Sequence, residues 1–189
     1  MADLPHLVVV SGRGGSGKTT LAHRLAAAVG CPAICRDEIK EGMVHAFGPG
    51  FQPAVGDPLT VRTYGLFFET VALLLRGGVT VVAEAAFQHR LWEQGLAPLR
   101  GWCDLRVVRC SVPQDLLRAR QRQRLAELPT RAAHADLAIF SQQGEESGWD
   151  AIHLDVPTLD VDSSDGYLPA LDEIADFAAR PPDDPHTDV

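Results

Sequence analysis

Two patterns of apolar residues alternate along the chain. Short runs of consecutive apolar residues, rich in valine, are typical of strands that are buried on both faces. Between these runs, apolar residues recur every three or four positions, which is typical of helices with one buried face. This alternation predicts an α/β protein. The predicted strands are Leu7–Val10, Pro32–Cys35, Val79–Ala83, Leu105–Cys110 and Thr158–Val161.

The helical segments are marked by their apolar positions and by signals at their ends. Gly30 and Gly77-Gly78 are expected to end two helices, and Asp57-Pro58 offers an N-cap and a first-turn proline to another. Ser111 to Gln114 has the form of a capping box. The expected helical positions are Leu21, Leu25, Ala28 and Val29; Ile39, Met43 and Val44; Val61, Tyr64, Phe68, Val71 and Leu75; Leu91, Leu96 and Leu99; Leu116 and Leu117; and Leu168, Leu171, Ile174, Ala175 and Ala178.

Between the first predicted strand and helix, residues 12–19 fit the pattern G-x-x-x-x-G-K-[ST] at every fixed position. Glycines let backbone N–H groups converge on an anion, and the helix adds its positive N-terminal end. Lys18 is expected to reach the β- and γ-phosphates of a nucleotide and to act in catalysis, and Thr19 to hold Mg²⁺. A glycine-rich turn without a nucleotide is the alternative. The predicted nucleotide-binding residues here are Gly12, Arg13, Gly14, Gly15, Ser16, Gly17, Lys18, Thr19 and Thr20.

Polar residues follow the second and third predicted strands, at the edge where open α/β sheets bind ligands. Asp37 fits either a helix cap or a base that accepts a proton from an acceptor hydroxyl. Glu84 fits an acceptor contact, a ligand in the Mg²⁺ water shell, or an ordinary strand-end acid. The loop predicted at 46–56 could line an acceptor pocket or be disordered. The candidate substrate-binding residues are Arg36, Asp37, Glu84, Phe87, Gln88, His89 and Arg90.

Four arginines alternate along the helix that follows the fourth predicted strand. A spacing of four places Arg120 with Arg124, and Arg118 with Arg122, so one pair can face a nucleotide while the other faces water. Pro129-Thr130 supplies a break of the kind a closing lid needs. We expect a lid at about 118–135, with Arg120, Arg124 and Arg131 neutralising charge during phosphoryl transfer.

A polar turn near the end of the chain, the chain length and the net charge support three further expectations. Asp162 and Ser163, after the last predicted strand, are expected to lie beside the nucleotide base. One domain is expected over residues 1–180, with a disordered tail at 181–189. A net charge of −8 argues against nucleic acid as a partner, because binding to phosphate backbones needs a basic face.

Two further expectations concern the compartment and the thiols. No apolar run approaches the ~20 residues of a membrane span, and the first strand begins too early for a signal peptide, so a cytoplasmic protein without membrane contact is expected. Four cysteines without paired C-x-x-C spacing favour small buried thiols over a metal site.

From Leu7 to about Ala178 the chain resembles the small P-loop kinases, with chloramphenicol phosphotransferase as its nearest likeness and zeta-toxin kinases more distant. The resemblance rests on residues 12–19, Asp37, Val108-Arg109-Cys110 and 159–163. It implies a P-loop NTPase fold, a three-layer sandwich with a five-stranded parallel sheet of order 2-3-1-4-5 and an arginine-rich helical lid. It also implies ATP with Mg²⁺ and Asp37 as the base. Glu84-Ala85-Ala86-Phe87 and Arg36 depart from that family at the acceptor pocket.

These features favour an ATP-dependent phosphotransferase that acts on a hydroxyl of a small molecule, with an antibiotic, a sugar and a nucleoside as the alternative acceptors and GTP as an alternative donor. A kinase of polynucleotide ends and a nucleotide-dependent switch or regulatory module are the other readings. A monomer and a homodimer both fit the sequence. Asp37 discriminates among these readings, because a switch needs no acceptor base beside the γ-phosphate.

Overall fold

The computed structural model describes residues 4–48, 50–51, 54, 57–127 and 149–180. Five strands are present in this part of the chain: β1 His6–Ser11, β2 Ala33–Cys35, β3 Val81–Ala85, β4 Asp104–Ser111 and β5 Thr158–Asp162. The helices are α1 Lys18–Val29, α2 Arg36–Phe47, α3 Pro58–Arg76, α4 His89–Leu96 with a 3₁₀ turn at Ala97–Leu99, α5 Gln114–Glu127 and α6 Leu171–Ala179. Much of the predicted lid and the tail at 181–189 lie outside the described residues.

The five strands form one parallel sheet of order β2-β3-β1-β4-β5, which confirms the predicted fold and strand order. Strand β1 is central: Val9 pairs with Ala83 of β3 on one side and with Val107 of β4 on the other. A strand in this position is covered on both faces, which explains why its sequence is continuously apolar.

Helices cover both faces of the sheet, so the molecule has the expected three layers. Leu7 and Val9 of β1 belong to a core that α3 and α4 cover, while Val8 and Val10 belong to a core that α1 and α6 cover. Successive side chains of a strand point to opposite faces, and each face therefore has its own helical partners. The carboxyl ends of β1 and β3 meet beneath the start of α1, which fixes where a ligand site can form.

Two element boundaries differ from the prediction. Strand β3 begins at Val81 rather than Val79, because the Val79 N–H still bonds to the Leu74 carbonyl and completes the end of α3. The strand also ends later than predicted, at Ala85, so Glu84 belongs to the strand instead of following it. Helix α2 extends to Phe47, since Gly48 has φ 88° and donates to the Val44 carbonyl, so Ala46 and Phe47 do not belong to the predicted loop.

Several apolar positions predicted to be buried are exposed. Val61 is 66% exposed and Leu168 is 74% exposed, and Leu168 precedes α6 rather than belonging to it. The buried face of α3 instead contains Thr63 and Phe67, which rotates the face away from Val61. Leu91 and Ala28 are also exposed, and the expected capping residue Ser111 is the last residue of β4.

The start of α3 has the predicted N-cap and an additional buried ion pair. Asp57 accepts from the Thr60 N–H at 2.8 Å, and Pro58 occupies the first turn, which confirms both signals. Asp57 also accepts from Lys40 Nζ of α2 at 2.7 Å, and both side chains are almost fully buried. The Lys40–Asp57 pair joins α2 to the start of α3, the two helices on either side of the predicted loop.

Replacing Lys40 with methionine is expected to lower the free energy of unfolding by about 3–5 kcal/mol, because it leaves the Asp57 carboxylate buried without its cation. Urea unfolding of the wild type and of Lys40→Met measures the difference. The double variant Lys40→Met/Asp57→Asn is the control, since asparagine keeps the cap and removes the charge. No recovery in the double variant would contradict the charge argument.

The same pair predicts a dependence of stability on pH. Burial alone would raise the pKa of Asp57, but the bonds from Lys40 and Thr60 outweigh it and lower that pKa. A lowered pKa contributes stability above the unfolded carboxyl value of about 3.9, and this stability is lost as the pH falls through the folded value.

Among the described helices, none combines the length and apolar character that crossing a membrane requires.

Candidate functional site

Residues 12–17 form the glycine-rich loop predicted between β1 and α1. Gly15 and Gly17 have φ of 94° and 80°, a region that side chains disfavour, and Gly17 is the N-cap of α1. Because the loop closes on the helix N-terminus, its N–H groups and the helix dipole converge at one point. The geometry is that of an anion site.

Position 12 requires glycine because there is no room for a side chain, and not because of its backbone φ angle. A Cβ at this position would lie 2.5 Å from the Cys110 carbonyl oxygen and 2.6 Å from Ser16 Oγ. Cys110 belongs to β4, so its carbonyl cannot move without disturbing the centre of the sheet. The loop therefore packs too closely on β4 for any side chain at this position.

We expect Gly12→Ala to lower the free energy of unfolding by about 1–3 kcal/mol, because overpacking forces backbone shifts of this cost. Gly42→Ala is the matched control: Gly42 lies inside α2, nothing lies within 4 Å of its added Cβ, and the change should stabilise the helix by about 0.5–1 kcal/mol. Thermal and urea unfolding measure both variants. Equal effects would contradict the close contact with β4.

Lys18, Thr19 and Glu84 form a buried cluster at the start of α1. Lys18 Nζ lies 3.2 Å from Glu84 Oε1, and Thr19 Oγ1 donates to Glu84 Oε2 at 3.2 Å. Lys18 and Glu84 are 3% and 1% exposed. The strand register positions Glu84, because it pairs with Val10 of β1 and Cys35 of β2. The structure thus brings together three predicted site residues from two separate parts of the chain.

Asp37 lies in the first turn of α2, two residues after the end of β2. The N-cap of this helix is Cys35, so Asp37 does not occupy the capping position that was its alternative reading. Its carboxylate accepts from Arg36 Nη1 at 2.9 Å, and the Arg36 Nε atom is buried without a hydrogen-bond partner. Because β2 pairs with β3 beside Glu84, Asp37 belongs to the same edge of the sheet as the glycine-rich loop.

The residues after β3 divide into core and surface. Phe87 is 7% exposed and packs with aromatic rings of α3 and with Trp92 of α4, so it contributes to the core; its contact with an acceptor stays a prediction. Gln88 and Arg90 are exposed. His89 stacks on His153, with ring centroids 3.4 Å apart. Of this predicted acceptor set, only Glu84 contacts the cluster at Lys18.

Among the predicted lid arginines, Arg120 lies beside the glycine-rich loop. Its Nη2 atom donates to the carbonyls of Ser163 and Ser164, both at 2.9 Å, and its Nη1 atom would lie 3.7 Å from a Cβ on Gly17. Arg122 is exposed and bonds back to the Arg118 carbonyl of its own helix. The side chain of Arg124 and all of Arg131 lie outside the described residues, so their predicted roles stay predictions.

The turn after β5 is attached to the glycine-rich loop. Ser163 is 5% exposed; its hydroxyl donates to the Ser16 carbonyl, and its N–H donates to the Ser111 carbonyl at 3.1 Å. Asp162 accepts from the Ser164 N–H at 2.8 Å, and the bonds from Ser164 lower the pKa of Asp162. Ser163 is therefore bonded to the loop and Asp162 precedes it in the same turn, and their contact with a nucleotide base stays a prediction.

Sequence reasoning missed two side chains that support the loop. Gln121 of α5 donates to the Gly14 carbonyl, and Trp92 donates from Nε1 to Ser11 Oγ at 3.0 Å. Each contact joins residues more than 80 positions apart, which no local pattern reveals. In the sequence, Gln121 is one polar residue among several on its helix and Trp92 is one of three tryptophans, so neither stands out.

A cavity of about 320 Å³ opens beside the loop, between it and the ends of β4 and β5. Its lining combines apolar and charged side chains, among them Arg13, Leu117, Trp149, Ile152 and Asp160. This position differs from the predicted acceptor location between Asp37, the 47–56 loop and the 84–90 segment. Part of that predicted loop lies outside the described residues.

The cysteines are free thiols, and three of the four are buried. Burial raises the pKa of Cys103 to about 11 and that of Cys110 to about 12. Burial and then the neighbouring Glu84 and Glu38 carboxylates raise the pKa of Cys35 as well. Protonated thiols are poor nucleophiles, and the burial of Cys35, Cys103 and Cys110 agrees with the prediction of small buried thiols.

Comparison with known proteins identifies the same fold. A family model described as an AAA domain matches residues 7–145. A candidate kinase from Chloroflexus aurantiacus is 24% identical with a TM-score of 0.77, covering 93% of this chain and 97% of its own. A sugar kinase from Janibacter sp. HTCC2649 is 20% identical with a TM-score of 0.61, covering 92% and 94%. Among curated proteins, none matches this chain.

A third solved structure was determined with ligands. The Mycobacterium tuberculosis APS kinase CysC, in complex with AMPPNP and APS, is 17% identical to this chain with a TM-score of 0.57, covering 92% of this chain and 95% of its own. Likeness at these identities establishes the fold. The finer resemblance to chloramphenicol phosphotransferase stays a prediction.

Proposed function

The chain belongs to the AAA domain family, and from that premise we propose that it is an ATP-dependent phosphotransferase that moves the γ-phosphate onto a hydroxyl of a small molecule. The observation that carries the proposal is the Lys18–Glu84–Thr19 cluster at the start of α1, with Asp37 in the first turn of α2 at the same edge of the sheet. The sugar kinase and the APS kinase among the similar structures support a hydroxyl acceptor.

The loop amides and Lys18 would bind the phosphates of the nucleotide. Glu84 holds the Lys18 ammonium in place within the protein, so the cation is oriented before the nucleotide arrives. A fixed charge of this kind stabilises a transition state more effectively than a mobile one, because little reorganisation is needed during the reaction. Arg120, with Arg124 and Arg131 from the predicted lid, would add charge from the other side.

The residues at the start of α1 fit a magnesium ion. Thr19 Oγ1 and the Glu84 carboxylate are hard oxygen atoms 3.2 Å apart, and Mg²⁺ prefers oxygen ligands, several of them water or phosphate. When bound, the ion would neutralise charge on the phosphates. Thr19 is the proposed direct ligand, and Glu84 would accept hydrogen bonds from the water shell.

Asp37 is the proposed general base. Its carboxylate would accept the proton of the acceptor hydroxyl as the oxygen attacks phosphorus, and this role requires a position beside the γ-phosphate. Arg36 bonds to one Asp37 oxygen and holds the carboxylate in one orientation. Arg36, Phe87, Gln88, His89 and Arg90 stay proposed acceptor contacts, of which His89 and Arg90 lie at the start of α4.

The test is ATP turnover by the purified protein with a panel of acceptors: sugars, sugar acids, nucleosides, hydroxylated antibiotics and an oligonucleotide with a free 5′-hydroxyl. Stimulation by one class of small molecule, with a phosphorylated product detected by mass spectrometry, supports the proposal. Hydrolysis that no acceptor changes would support the switch reading instead. Phosphorylation of the oligonucleotide alone would support a polynucleotide kinase, which the net charge of −8 disfavours.

A further inference from the structure

Three potential metal ligands meet on the side of α1 that faces β2 and α2. His23 Nε2 lies 2.6 Å from Glu38 Oε1 and 3.7 Å from Cys35 Sγ, and the three ligand atoms all lie within 4.8 Å of one another. His23 belongs to α1, Cys35 ends β2 and Glu38 belongs to the first turn of α2. The group therefore links three elements that surround the candidate site.

The fold brings His23, Cys35 and Glu38 together from three elements, and their spacing in the sequence does not predict this. Helix α2 begins directly after β2, so Cys35 and Glu38 are only three residues apart and both can face α1. His23 lies one helical turn beyond Thr19 in α1, and its side chain reaches Cys35 and Glu38. The four cysteines lack paired C-x-x-C spacing, which is why the sequence alone favoured simple buried thiols.

The group is partly exposed, so a cation could reach it from solvent. Cys35 is 2% exposed, whereas the side chains of His23 and Glu38 are 50% and 49% exposed. A cation could enter from solvent through the two exposed ligands and reach the thiol at the bottom. Glu84 and Lys18 lie near Cys35, but they are paired with each other and do not belong to the group.

We propose that His23, Cys35 and Glu38 form a binding site for a divalent cation of the zinc class. Zinc takes sulfur, imidazole nitrogen and carboxylate oxygen in tetrahedral sites, and three protein ligands leave a fourth position for water. Binding would replace the thiol proton of Cys35, which passes to the solvent, with a metal–sulfur bond.

The observed distances fit this geometry with one small change. Tetrahedral zinc with its usual bond lengths separates sulfur from nitrogen by about 3.5 Å and nitrogen from oxygen by about 3.3 Å. The sulfur–nitrogen distance is already 3.7 Å. The nitrogen–oxygen distance of 2.6 Å is a direct hydrogen bond, which the exposed Glu38 side chain can open by rotating.

This site differs in chemistry from the oxygen site proposed at Thr19 and Glu84. Mg²⁺ avoids sulfur, so millimolar magnesium should not displace zinc from the group. A zinc ion here would also join the first turn of α2 to α1 and so fix the segment that contains Asp37. The site is independent of the phosphotransferase proposal, because its test measures binding alone.

The experiment is a cobalt titration of the full, tag-free, reduced and metal-free protein. Cobalt reports its own coordination: a tetrahedral site gives intense visible bands, and a cobalt–thiolate bond adds a near-ultraviolet band. One equivalent of cobalt should give both signals, and zinc should then abolish them. Magnesium in excess should leave them unchanged.

Variants assign the ligands. Cys35→Ser and His23→Gln should each weaken zinc binding by at least about 100-fold, since even second-shell changes cost 10–100-fold. Cys110→Ser is the matched control, because Cys110 is also a buried strand cysteine near Lys18 and Glu84 but does not belong to the group. His153→Gln controls for histidine beside an acidic residue without a thiol, since His153 lies 3.5 Å from Asp150.

Two results would overturn the proposal: no thiolate band at one equivalent, or a band that persists in Cys35→Ser. If Cys35→Ser fails to fold, His23→Gln decides the matter, because His23 is half-exposed and its loss should leave the fold intact. Loss of binding in the two ligand variants, with normal binding in both controls, would support it.

Discussion

Lys18→Met is expected to abolish ATP-dependent phosphoryl transfer, with a loss of at least about 10²–10³-fold in kcat/KM. The ammonium is the only charged group of the loop motif held by a buried partner among the described residues, and removing a preorganised donor from a transition state costs this much or more. Steady-state transfer assays and nucleotide binding measure the effect. Wild-type transfer by this variant would refute the assigned role of Lys18.

A control must separate this loss from unfolding, because Lys18→Met leaves Glu84 buried without its cation. Breaking a buried ion pair costs about 3–5 kcal/mol, a large part of the stability of a typical domain. Lys18→Met/Glu84→Gln removes the orphan charge, so its unfolding free energy should recover. Its transfer activity should stay absent, since the phosphate contact is still missing.

Asp37→Asn is expected to lower the rate of transfer by about 10²–10⁴-fold while ATP binding changes little. Asparagine keeps the size of the side chain and cannot accept the proton of the acceptor, and general-base assistance is worth this factor. Single-turnover transfer and equilibrium nucleotide binding measure the two properties separately. Before the acceptor is identified, the experiment can use whichever compound stimulates turnover most.

Glu41→Gln is the matched control for Asp37→Asn, since Glu41 is a half-buried carboxylate one turn further along α2. It should transfer phosphate at close to the wild-type rate. A full transfer rate in Asp37→Asn would exclude Asp37 as the base. An equal loss in both variants would attribute the effect to the charge of α2 rather than to Asp37 itself.

The sequence predicted the layout of the fold because the layout depends on local signals. The apolar run at 7–10 and the glycine-rich motif identified β1 and the start of α1, and Asp57-Pro58 identified the start of α3. Strand ends were less certain: Val79 is apolar, yet its N–H completes a helix instead of joining the sheet. Apolar character marks the middle of a strand, whereas backbone hydrogen bonds decide its end.

The candidate site was predictable only in part. Lys18, Glu84 and Asp37 could be placed at one edge because parallel strands present their carboxyl ends together. The contacts of Gln121, Trp92 and Ser163 join distant segments through single side chains, and such contacts leave no periodic trace. The burial of Phe87 could not be predicted either, because an aromatic residue at a strand end looks the same in the sequence whether it faces a pocket or the core.

The hydrogen bonds of Ser163 to the glycine-rich loop and of Arg120 to the turn after β5 limit how far the chain can be shortened. The family match ends at residue 145, yet Ser163 fastens the glycine-rich loop and β5 covers the edge of β4. A fragment cut at the family boundary would keep the whole motif and lose the last strand, the turn and α6. A piece that keeps the Ser163 contact must extend past Ser164, and one that also keeps α6 over the core at Val8 and Val10 extends to Ala179, thirty-four residues past the family boundary.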